Sequence, residues 1–203
     1  MKLSNLLKGI LFCAALAPSA TVVAAEGAEH CPDLSLSQLH VLQHSYDRGA
    51  PHDLGYTLAA IALTESSAGV NLINYRTQDY GIYQGNVKTV CVQSGVYDNS
   101  VLCNRELTRI VQDPDAAADH AIETLLWWKD YFSKRKHSKA YEKMIRSYNA
   151  GFSFTSRDAT VYFSKFRKNF HTIKRCVRLV HHDTKSTTYP KLSTTDSGKV
   201  GKQ

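Results

Sequence analysis

Apolar positions recur at helical spacing along most of the chain. Leu36, Leu39, Leu42 and Tyr46 fall three or four apart behind Ser35, a side chain suited to a helix start. A second set, Leu54, Leu58, Ile61 and Ala62, follows Pro51 and predicts a helix opened by Asp53. The most regular stripe lies in DPDAAADHAIETLLWWKDYF, where Ala118, Ala121, Ile122, Leu125, Trp128 and Phe132 share one face. Asp113 or Asp115 suits its start, and Lys134, Arg135 and Lys136 suit its end. Tyr141, Met144, Ile145 and Tyr148 mark a further helix stopped at Gly151, and Ala159, Tyr162, Phe163, Phe166 and Phe170 mark a last one. Residues 85–112 show no clean period and hold two cysteines, so they read as a small irregular insertion. No repeat and no strand-rich region stands out. The pattern predicts one mainly α domain.

The ends differ from this pattern. Lys2 and Lys8 precede the short apolar run GILFCAALA, and Val23 and Ala25 occupy the positions an export peptidase reads. Residues 1–25 therefore read as a signal peptide, left out of the fold. The run is short for a membrane span, and bulky Phe12 argues against lipid attachment at Cys13. No later segment resembles a transmembrane helix. After residue 181 the chain turns to Lys, Ser, Thr and Gly, the composition of a flexible basic tail. The folded domain is expected over residues 26–180, long enough to bury a core. A hydrophobic fraction of 43% is ordinary for a globular protein.

Charge and cysteines bear on the compartment. Without Lys2 and Lys8 the formal charge of +7 falls to about +5. An exported basic domain suits an anionic partner such as nucleic acid, a cell wall or a membrane surface, although solubility alone accounts for the charge as well. The run KRKHSK at 134–139 reads as a solvated helix end. Without a zinc knuckle, an RNA-reading motif or a DNA-reading helix, no nucleic-acid partner is expected. Cys31, Cys91, Cys103 and Cys176 follow the leader and allow three pairings, among which sequence does not choose. Cys91–Cys103 as a local staple, with Cys31–Cys176 tying the mature start to the last helix, is the favoured set. No CxxC pair supports zinc. His40 and His44 in HVLQH lack the glutamate of HExxH and read as a surface pair. Neither metal nor cofactor is expected.

One acid breaks the apolar pattern. In IALTESSAGV, Glu65 lies seven residues after Leu58 and four after Ile61, within about 40° of both on a helical wheel. Its phase points to the core side, in the last turn. Burial and the negative end of the helix dipole would both disfavour ionisation and raise its pKa, as a general acid requires. The competing reading is a helix-end glutamate that bends out to solvent. Two other segments bear on the choice. DYGIYQGN is a glycine-bounded turn carrying Gln84, and SYNAG ends a helix with Tyr148 on the apolar stripe and Asn149 beside it. A phenol and a carboxyl on buried faces each need a partner, so a Tyr148–Glu65 pair is expected, with Gly151 freeing the chain to turn away.

Together and in order, ESSAG, GIYQ, SYNAG and ATVYFSKF resemble the motifs of the soluble-lytic-transglycosylase-type lytic transglycosylases, over about residues 53–168. The resemblance implies a lysozyme-like α fold and cleavage of the MurNAc–GlcNAc β-1,4 bond of peptidoglycan. It assigns Glu65 as the catalytic acid and base. It places Gln84, Tyr148, Asn149 and Tyr162 along a substrate-binding cleft, with Ser66 supporting the glutamate's surroundings there. Tyr83 stands where methionine is usual, which would alter saccharide contacts. Ser147 replaces the usual alanine. The insertion with Cys91 and Cys103 is not something the family requires.

Ordinary glycosidases use two carboxylates, and here only Asp79 stands near as a second. A single acid suits a transglycosylase that closes a 1,6-anhydro ring. If Asp79 positions a water, the activity becomes that of a muramidase like the goose-type lysozymes, which resemble this fold and motif order. A non-catalytic wall-binding module would explain charge, export and aromatics, with Trp127 free to stack and Trp128 in the core, but not a core-phased Glu65. The expected location is the periplasm or the exterior. The expected partner is the glycan strand, and the short layout and basic tail loosely fit wall opening for a secretion, pilus, conjugation or phage assembly.

Overall fold

The computed structural model describes residues 32–179. The expected leader (1–25) and basic tail (181–203) lie outside the described residues. Helix α1, Leu36–Gly49, starts where predicted: the Ser35 side chain accepts from the Gln38 amide, and the Gln38 side chain accepts from the Ser35 amide. The second helix departs from expectation. Pro51 sits in a 3-10 turn, Ala50–His52, and Asp53 closes that turn in the left-handed region at φ 60° rather than opening a helix. Helix α2, Gly55–Ser66, begins two residues later without a side-chain cap. It can start there because Leu54 is buried and Gly55 lies against Tyr46, where a Cβ would meet the ring at 2.9 Å.

Three two-residue strands follow: β1 Ile73–Asn74, β2 Asp79–Tyr80 and β3 Gly85–Asn86, antiparallel in that order. Ile73 pairs with Tyr80 and Asp79 with Asn86. The segment read as an irregular insertion is helical instead. Helix α3, Val87–Gln93, is capped by Asn86, and α4, Ser100–Gln112, by Asn99. The period escaped detection because α3 has only 7 residues and α4 buries just Leu107 and Ile110 on an otherwise polar surface. A Cys91–Cys103 disulfide joins the two helices, as expected. Cys176 is also disulfide-bonded, but Cys31, its expected partner, lies outside the described residues.

Helix α5, Pro114–Lys134, is capped by Asp113, whose carboxylate accepts from the amides of Asp115 and Ala116. Its predicted stripe, Ala118 through Phe132, is buried throughout. Helix α6, Ala140–Ala150, stops at Gly151, and α7, Arg157–Cys176, starts behind the cap Ser156. The fold is mainly α and lysozyme-like, with α2 at its centre: Leu58 through Ala62 are fully buried. Helices α1 and α7 flank α2, and α6 packs on α5 and α7. His44 is not a surface residue. It is buried, with Nε2 2.8 Å from Asp115 on α5, whereas His40 is exposed. Among the described residues no helix is long and apolar enough to cross a membrane.

Candidate active site

Glu65 sits in the last turn of α2, half-buried, where the chain leaves the helix through Ser67 and Ala68 at φ 54° and 55°. Its Oε1 accepts a 2.6 Å hydrogen bond from the hydroxyl of Tyr162 on α7. The partner is therefore not Tyr148, as the sequence suggested. The reason is packing: α7 lies along α2, whereas α6, which carries Tyr148, packs on α5 and α7. The Tyr148 hydroxyl instead donates to the Tyr83 carbonyl at 2.8 Å. It remains near enough for the charge of Glu65 to help push its pKa up, after burial.

Helix α7 grips the end of α2 through one face. Lys165 Nζ donates to the Thr64 carbonyl at 2.7 Å. Asn169 Nδ2 donates to Thr64 Oγ1 at 3.0 Å, and that hydroxyl donates to Ala60 O at 2.6 Å. Lys165 and Asn169 were not singled out in the sequence. The signal was there in YFSKFRKN, since positions 162, 165 and 169 fall on one helical face. Ser66, expected along the cleft, is fully buried. Its hydroxyl donates to Ala62 O and accepts from the Gly69 amide at 2.8 Å, so it holds the turn behind Glu65.

The turn from β2 to β3 carries Gly81, Tyr83 and Gln84. Gly81 is required at φ 78°, because a Cβ there would meet the Ile110 carbonyl at 2.5 Å. Gln84, also left-handed, folds its amide back onto the carbonyls of Gly81 (2.9 Å) and Asn71 (3.1 Å). Tyr83, whose motif position implies altered saccharide contacts, turns its ring inward. It is buried, and its hydroxyl lies 2.8 Å from Ser45 Oγ in the core. Asp79 is half-buried and accepts from Asn86 Nδ2 at 2.9 Å. Asn149 is exposed at the end of α6.

Electrostatics set Glu65 apart. Burial pushes its pKa up to about 7; the Tyr162 hydrogen bond and the Lys165 charge hold it lower than burial alone would, and the Asp79 charge adds to the rise. Tyr162 keeps its proton, since burial and the neighbouring carboxylate push its pKa well up. His120, against which Gly85 packs, is lowered to about 4 by burial and by Arg109, so it is neutral near pH 7. The arrangement offers one carboxyl that can give up and regain a proton near neutrality, oriented by a phenol that stays a donor. Among the described residues no group of three or more His, Cys, Asp or Glu could hold a metal.

A family model described as the transglycosylase SLT domain matches residues 48–171. The matched span holds Glu65, the turn with Gln84, the end of α6 and Tyr162. Comparison with curated proteins and with solved structures gave no match.

Proposed function

Since the chain belongs to the transglycosylase SLT family, we propose that it is a peptidoglycan lytic transglycosylase with Glu65 as its general acid and then its base. The observation that carries this reading is a single desolvated carboxyl, raised to about 7 and hydrogen-bonded by a phenol. Tyr162 donates to Oε1 and leaves Oε2 to carry the proton. That proton passes to the oxygen bridging MurNAc and GlcNAc as the C1–O bond breaks. The N-acetyl carbonyl of the substrate stabilises the positive C1. Glu65, now ionised, takes the proton of the MurNAc C6 hydroxyl, and O6 closes on C1. The product is a 1,6-anhydro end, no water is consumed, and Glu65 is protonated again. A group that acts in both directions works best with a pKa near the working pH.

Gln84, Tyr148 and Asn149 are the residues we assign to the saccharide cleft, with Ser66 behind it. The reading includes export by the N-terminal leader to the periplasm or beyond, and action on the wall either in turnover or beside an assembly that crosses it. Glu65→Gln tests the acid, because an amide cannot donate the proton: activity on purified murein should disappear. Mass spectrometry of the digest tests the outcome. Anhydro ends support the lyase, whereas reducing ends would make Asp79 the positioner of a water and the protein a muramidase.

A further inference from the structure

Away from Glu65, three aromatic rings meet at the surface. Trp127 is 52% exposed and Phe152 66%. Single exposed aromatics need no explanation, but these are contiguous. The Trp127 ring lies nearly parallel to that of Tyr131, one helical turn on, with centroids 5.5 Å apart. Phe152 stands edge-on to both, at 6.1 Å and 5.6 Å. Buried Trp128 lies 5.0 Å from Phe152 and stacks on buried Phe132, which fixes the group from the core side. The three rings are held in place before any ligand arrives.

Two further features indicate what the rings meet. First, Phe152 follows Gly151 directly, four residues past Tyr148, so the chain that carries Tyr148 and Asn149 runs straight on to the patch. Second, its rim is cationic. The Arg135 guanidinium lies 3.8 Å from the Tyr131 ring centroid, and exposed Lys136 follows it, while Lys134 is paired with Asp130. The C–H faces of a pyranose and the methyl of an N-acetyl group are apolar with a positive edge, which suits the negative face of an aromatic ring. The stem peptides on a murein strand add carboxylates, which suit the rim.

We propose that Trp127 and Phe152, braced by Tyr131, form an accessory glycan platform on which the murein strand stacks beyond the cleft, with Arg135 and Lys136 meeting its peptide carboxylates. The proposal rests on the reading of the site as a transglycosylase. It assigns the platform to retaining the polymer, not to the bond-breaking step.

The test uses the full chain and purified murein sacculi. In the Glu65→Gln background, which binds without cutting, Trp127→Ala with Phe152→Ser should weaken sedimentation with sacculi about tenfold. With Glu65 present, the same pair should raise the half-saturating murein concentration about tenfold and leave turnover at saturation unchanged. Two further measurements leave the aromatic residues themselves unchanged. Arg135→Glu with Lys136→Glu should also weaken binding. Iodide quenching of tryptophan fluorescence reports Trp127, because the other of the two tryptophans is buried, and it should fall when soluble murein fragments are added. Unchanged binding in both variant pairs, or unchanged quenching, overturns the platform and leaves the patch to a protein partner. Cleavage retained by Glu65→Gln would instead overturn the assignment of the acid and leave the binding result standing.

Discussion

The end of α2 and the α3–α4 lobe are stabilised in different ways. Around Glu65, a largely buried helix is gripped by α7 through hydrogen bonds to Thr64 and to the carboxyl itself. In the lobe, two short helices bury two residues each and rely on asparagine caps and the Cys91–Cys103 bridge. Long-range burial can hold an acid in a state that opposes folding, because many contacts share the cost. Local devices hold a surface lobe in shape without placing any group against its chemistry. An acid kept from ionising therefore belongs in the packed junction, not in the stapled lobe.

The largest effect is expected from Glu65→Gln, with murein cleavage falling about a thousandfold or more. Its stability effect should run the other way. Below the ordinary carboxyl value of 4.5 the group is protonated in both folded and unfolded chains. Between 4.5 and about 7 the unfolded chain ionises while the folded chain keeps its proton, so Glu65 lowers stability as pH rises, and the loss is complete above 7. Glu65→Gln should therefore match the parent near pH 4 and exceed it at pH 8 by up to about 3 kcal/mol, read by urea unfolding at both pH values. Equal stability at both would mean the carboxyl is not held protonated.

Cys91→Ser with Cys103→Ser should cost about 3 kcal/mol in denaturant unfolding. If the lobe is separate from the acid, the pH profile of cleavage should keep its midpoint. Tyr162→Phe removes the bond that favours the ionised carboxylate, so the Glu65 pKa should rise. Cleavage should fall about tenfold with the pH optimum moved to the alkaline side, seen in initial rates from pH 5 to 9. Lys165→Met removes a cation that lowers the same pKa, and its profile should shift in the same direction, while Asp79→Asn should shift it to acid. The smallest effect concerns Ser147, whose buried hydroxyl has no hydrogen-bond partner among the described residues. Ser147→Ala, the residue usual in this motif, should raise stability by about 1 kcal/mol with cleavage unchanged.

Where sequence reading succeeded and failed follows from the range of each interaction. The Ser35 and Asp113 ends, the α5 stripe and the Gly151 stop were legible because caps and periodicity act within a few residues. The lobe was misread because α3 is shorter than the window in which a helical period shows itself. Asp53 looked like a cap, but its residue type suits left-handed turns as well, and packing of Leu54 and Gly55 decided between them.

The long helices with regular stripes, the inward phase of Glu65 and the four ordered motifs that mark the family were legible in the chain, because spacing along a helix fixes direction. Packing alone made Tyr162 rather than Tyr148 the partner of the acid, turned Ser66 and Tyr83 inward, and brought Trp127 and Phe152 together at the surface. Those pairings join residues far apart in the chain, and which helix lies beside which depends on the whole core, not on any local pattern.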